Sequence, residues 1–191
     1  MERLDRARTG LLVFDALNGH LRERADGPIN ERYLPMVRNI RRLLDAAATA
    51  QITVAYAQPN HRRDLPTWQR TSAPDAHVTK VWAGTWAAEV APELAPTPRD
   101  LIISKVRWSA FFGSQLDVSL RLRDVRTLIV CGAATQVGIA STVYEARDLA
   151  YDLVIPRDAC AGDPEVHDAF LHAFERFARV HSTDEVVAAL R

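Results

Sequence analysis

The 191-residue chain has only two cysteines, Cys131 and Cys160. That is too few for a disulfide framework, and isolated thiols fit a reducing compartment. No apolar run approaches the ~18 residues needed to cross a bilayer. The first residues include Glu2, Arg3, Asp5, Arg6 and Arg8, unlike a secretory leader, so the expected location is the cytoplasm with no membrane attachment. An excess of either charge is missing as well, since 24 Lys and Arg balance 24 Asp and Glu. This removes the basic footprint of a nucleic-acid binder. A net charge near zero also eases self-association. The eight glycines form no phosphate loop, and neither a zinc ribbon nor a paired-carboxylate glycosidase pattern is present, so no cofactor is expected. Repeats, low-complexity tracts and Gly/Pro/Ser-rich linkers are lacking too, which leaves one domain over residues 1–191 as the expectation.

What the chain does have is alternation. Residues 10–15 (GLLVFD) form a short apolar run ending in a carboxylate, as a buried central strand would. Met36, Val37, Ile40, Leu43, Leu44 and Ala47 then recur at helical spacing. Residues 52–57 (ITVAYA), 101–104 (LIIS), 128–131 (LIVC) and 151–155 predict four further strands, and 180–182 a short sixth. Helical spacing returns at Ile139, Val143, Ala146 and Leu149, then from Val166 to Phe177, with a closing helix over 184–190. Such a pattern predicts a mostly parallel, doubly wound sheet with helices on both faces, a three-layer α/β/α fold. Ligands of these sheets bind beyond the carboxyl ends of the strands. Asp15, Gln58, Lys105 and the turn 132–138 all fall there.

Read together, LLVFDALNG, SKVRWSAFFGSQLD and LIVCGAATQVGIASTVYEARD resemble the isochorismatase-like, or cysteine hydrolase, superfamily, which includes nicotinamidases, N-carbamoylsarcosine amidases and isochorismatases. The resemblance runs from about residue 10 to 190. It implies a six-stranded sheet ordered 3-2-1-4-5-6 and a catalytic Asp, Lys and Cys, of which Asp15 and Lys105 match the first two. The nucleophile's position, three residues after the A-T of the turn, holds Gly138 instead. Glycine supplies no nucleophile, so acyl transfer by the usual thiolate route is absent. Cys131, seven residues earlier within a strand, and Cys160, after the fifth strand, read as packing residues.

The resemblance further implies a cis peptide at Ala133–Ala134 and amide donors at Ala134 and Gly138, with Thr135 opening a helix. Isochorismatases resemble this chain in having glycine at that position and a Y-x-A-Q-P, here AYAQP, which marks Gln58 as a substrate-contacting amide. Trp108 and Phe111 either line the pocket mouth or pack in the core. Arg107 is either a carboxylate clamp or a surface arginine. Asp75-Ala76-His77 has the D-x-H spacing of a zinc motif, but it lies seventeen residues beyond Gln58, and His61 stands beside Arg62 and Arg63; no metal is expected.

The groups left can still hydrolyse a vinyl ether, because protonating an enol carbon requires an acid and not a nucleophile. Asp15 is the candidate acid, facing a small acidic substrate such as isochorismate. Two alternatives stand beside it: an amidase in which Asp15 activates water, and an inactive relative that binds a metabolite or partner. Family members are commonly homodimers or homotetramers, and that assembly is the expectation here.

Overall fold

A computed structural model describes residues 1–62 and 81–191. Asp75, Ala76 and His77 lie outside the described residues. The sheet contains β1 (Thr9–Phe14), β2 (Thr53–Pro59), β3 (Leu101–Lys105), β4 (Thr127–Ala133), β5 (Asp152–Pro156), β6 (Cys160–Ala161) and β7 (Arg179–His181). Its order is β3-β2-β1-β4-β5-β7, with β6 paired to β4, and all of these pairings are parallel. The order is the expected one, with β7 as the sixth strand of the path. The two-residue β6 is an addition, too short to leave a periodic signal.

Every residue of β1 is buried, as befits a strand with neighbours on both edges and helices on both faces. Alternation divides its side chains between two cores. Leu11 and Val13 join Val54, Tyr56, Ile129 and Cys131 under α2 (Leu34–Ala50) and α6 (Thr183–Ala189). Leu12 and Phe14 join Ala55, Ala57, Ile103, Leu128 and Val130 on the opposite face, covered by α3 (Leu116–Arg121), α4 (Ala140–Asp148) and α5 (His167–Phe174).

α2 buries Met36, Val37, Ile40, Leu43, Leu44 and Ala47, the stripe read from sequence. It ends where Gln51 takes a left-handed conformation (φ 57°) and returns its N–H to the carbonyls of Ala47 and Ala48. α6 begins in a capping box between Ser182 and Glu185. The six-residue α3 and the four-residue α1 (Asn18–Leu21) were not expected from sequence. α3 buries only Leu116 and Leu120, one i,i+4 pair, which is too little to establish a period. Among the described residues no helix is long and apolar enough to cross a membrane.

Candidate active site

The carboxyl ends of β1, β3 and β4 meet on the Phe14 face of the sheet. One lateral row there reads Ile103, Ala57, Phe14 and Gly132 across four strands. Gly132 has no room for a side chain: its φ is 125°, and a Cβ would lie 2.0 Å from the carbonyl oxygen of Phe14. This close approach brings the turn after β4 against the end of β1. The peptide between Ala133 and Ala134 is cis, as the resemblance implied. A π-helical turn over Thr135–Ile139 then leads into α4.

Asp15 directly follows β1 in a left-handed conformation (φ 47°). Its N–H donates to the carbonyl of Ala57 at 3.1 Å, and its own carbonyl accepts from the N–H of Leu17 at 2.8 Å. The His20 ring Nδ1 lies 3.2 Å from the same carbonyl. Lys105 ends β3, two strands away and in register with Pro59 of β2, and its side chain spans β2 to reach the end of β1. Its Nζ stands 3.0 Å from Asp15 Oδ2, with the two side chains 5% and 12% exposed. The other carboxyl oxygen, Oδ1, is buried and has no hydrogen-bond partner among the described residues.

Burial pushes the Asp15 carboxyl above its ordinary range, against the pull of Lys105 and His20 toward the charged form. The Lys105 ammonium also sits 4.6 Å from the centroid of the Phe14 ring, a cation–π contact made away from water.

Gly138 lies within the π-helical turn, against that same ring. A Cβ on it would fall 2.2 Å from Phe14 Cε1 and 2.4 Å from Cζ. The space beside position 138 is therefore occupied by carbon from β1. Neither cysteine reaches it. Cys131 points into the opposite core, its Sγ 3.6 Å from the carbonyl oxygen of Leu12. Cys160 packs in the core that contains Phe14, with Sγ 3.7 Å from the Val130 carbonyl oxygen. Burial raises both thiols, Cys160 to about 12. In the folded protein both should therefore resist a thiol reagent such as dithionitrobenzoate at pH 7, and Cys131→Ala should leave turnover within about twofold; rapid labelling, or loss of activity, would count against this.

The remaining sequence candidates divide. Ala134 and Gly138 place their backbones at the turn beside Asp15's strand. The Thr135 side chain is buried, and its Oγ1 lies 2.9 Å from His167 Nδ1 on α5, so its hydroxyl is engaged within the protein. Gln58 lies inside β2, in register with Ser104, and alternation puts it on the other face of the sheet from Lys105. It lines a cavity of about 470 Å³ with Asn60, Glu89, Ile102 and Ser104, and neither Asp15 nor Lys105 borders that cavity. Trp108 is exposed, whereas Phe111 is a core residue whose ring lies 5.6 Å from that of Tyr151, just before β5. Phe111 thus faces the amino end of the sheet rather than a pocket mouth. Arg107 is exposed, with its guanidinium on the Val106 carbonyl.

Three contributors had no clear signal in sequence. Phe14 read as core. Thr142 donates to the Gly138 carbonyl at 2.7 Å and accepts the Ala110 N–H at 3.0 Å, which ties the W-S-A-F segment to the turn. His61 is lowered to about 4 by burial and by its neighbours Lys105, His20 and Arg107, so its ring is neutral at pH 7.

Comparison with known proteins bears on the family and the fold. Residues 9–185 match the Isochorismatase domain family. The chain is 40% identical over 99 residues to the uncharacterized isochorismatase family protein YecD of Escherichia coli O157:H7, covering 51% of this chain and 53% of that protein. It is 31% identical over 158 residues to the ureidoacrylate amidohydrolase RutB of Agrobacterium fabrum, covering 74% and 69%. The chain thus spans about half to two thirds of the length of these curated relatives. Among solved structures, a cysteine hydrolase from Pseudomonas syringae pv. phaseolicola superimposes with a TM-score of 0.87 at 28% identity, covering 100% of this chain and 95% of the other.

Proposed function

The chain belongs to the isochorismatase family, and from that membership and the geometry of its site we propose that it hydrolyses a small acidic metabolite without a covalent enzyme intermediate, using Asp15 as general acid. The observation that carries this reading is the buried Asp15 carboxyl, with one oxygen on Lys105 and the other without a partner among the described residues, beside a nucleophile position that holds no side chain. Burial pushes this carboxyl upward, in the direction that favours the protonated form an acid needs.

On an enol ether the steps balance without a thiol. Asp15 gives its proton to the enol carbon, and an oxocarbenium-like centre forms. Water adds to that centre, and the hemiketal collapses to a ketone and an alcohol, returning a proton to Asp15. Lys105 holds positive charge close to the substrate, where it favours an anionic one. Isochorismate is the first substrate to try, with pyruvate as the measured product. Pyruvate release in proportion to enzyme is the expected result; none at micromolar enzyme over hours would rule that substrate out.

A second reading is supported by the amidohydrolase relatives: water attacks a small amide while Asp15 takes its proton. A mass-detected panel of ureido acids and enol ethers separates the two.

A further inference from the structure

We infer that Phe14 sets the reaction class of this pocket: its ring stands where a side chain at position 138 would project, and Phe14 and Gly138 are complementary halves of one packing solution. The inference rests on the thiol-free reading for its consequence, but its geometry does not depend on any substrate. Two ring carbons lie 2.2 Å and 2.4 Å from the Cβ position of residue 138, while Cδ1 lies at 3.3 Å. The collision therefore involves the far end of the ring, and a shorter residue at position 14 would clear it.

The ring cannot simply swing away. Phe14 is 1% exposed and held in register between Ala57 and Gly132, with Lys105 Nζ 4.6 Å from its centroid. Close-packed interiors accept an added atom only by displacing neighbours, at a cost of about 1–3 kcal/mol in well-packed cores. Loss of a thiol at position 138 is thus not an open gap that a single substitution refills. The same ring also carries the Lys105 ammonium 4.6 Å from its centroid, so one side chain touches both the cation and the site of residue 138.

The test uses three variants of the whole chain: Gly138→Cys, Phe14→Val, and the two together. Gly138→Cys alone should lower Tm by roughly 3–10 °C. Adding Phe14→Val should restore more than half of that loss, although Phe14→Val by itself lowers Tm. The introduced thiol, at the start of a helix and against the side-chain site that Lys105 also touches, should then carry a depressed pKa. Iodoacetamide at pH 7 should alkylate it at least about tenfold faster than the same thiol in Gly138→Cys, with a peptide map placing the label at position 138.

A Gly138→Cys protein as stable as the parent and labelled as fast as the double variant would overturn the inference. So would a double variant that is no more stable than Gly138→Cys, fails to fold, or folds with a silent thiol. None of these measurements uses a substrate, so failure here is separate from failure of the proposed hydrolysis.

Discussion

Asp15→Asn should lower turnover by about 10²–10⁴-fold, the range that a positioned general acid contributes, with the fold retained at 25 °C although less stable, because Lys105 loses its anionic partner. The amide keeps the shape of the carboxyl and can still accept a hydrogen bond from the Lys105 ammonium, 3.0 Å away in the parent, but it has no proton to give at the reacting carbon. Circular dichroism should therefore be unchanged while product formation collapses. The pH profile sharpens the argument. Burial raises the Asp15 carboxyl above the usual carboxylate range. An acid works only while protonated, so kcat/KM for an enol ether should fall as pH rises through this raised pKa, and the limb should vanish in Asp15→Asn. If the chemistry is amide hydrolysis with Asp15 as base, the same group gives a limb of opposite sign, with activity rising through that pKa. Full turnover in Asp15→Asn would remove both routes.

How much of this was legible in the chain differs by residue. The strands of the sheet were visible because buried parallel strands are continuous apolar runs, and β1 is buried along its entire length. Asp15 and Lys105 could be placed at strand ends, since each directly ends such a run. Their meeting depends on strand order and register, which set Lys105 beside Pro59 with only β2 between it and the end of β1, and neither is written in the two runs themselves. Gln58 is one residue before the end of β2, and with a period of two that single position puts it on the other face, in register with Ser104 rather than Lys105, a difference that an apolar run does not encode. Phe111 could not be separated from Trp108 by composition, for both are aromatics in one loop, and only packing against Tyr151 decides. The absence of a thiol was written plainly in Gly138. What replaced it was not, because Phe14 sits in an apolar strand where any large hydrophobe looks like core.

Lys105→Met carries the largest expected loss of stability. Lys105 is 4% exposed in the fold, and removing its ammonium leaves Asp15 buried without the cation that most favours its charged form. Breaking a buried pair from one side costs about 3–5 kcal/mol, or roughly 6–20 °C in Tm for a chain of this size. The sign of the pH dependence follows from linkage. The Asp15 pKa in the fold already lies above its unfolded value of 3.8, and losing Lys105 raises it further. A carboxyl raised by folding supports the native state fully below the unfolded pKa, and that support is lost as pH rises through the folded pKa. The deficit of Lys105→Met against the parent should thus be small near pH 4 and reach its full size above the raised pKa. Urea midpoints measured from pH 4 to 8 would trace it. Asp15→Asn in the Lys105→Met background should restore most of the lost stability, because a neutral amide leaves no charge to strand, and the coupling should exceed about 1 kcal/mol in a double-mutant cycle. A Lys105→Met deficit that is the same at every pH would mean that the lysine stem, and not the ammonium, carries the stability, and that the two groups do not act as an ion pair.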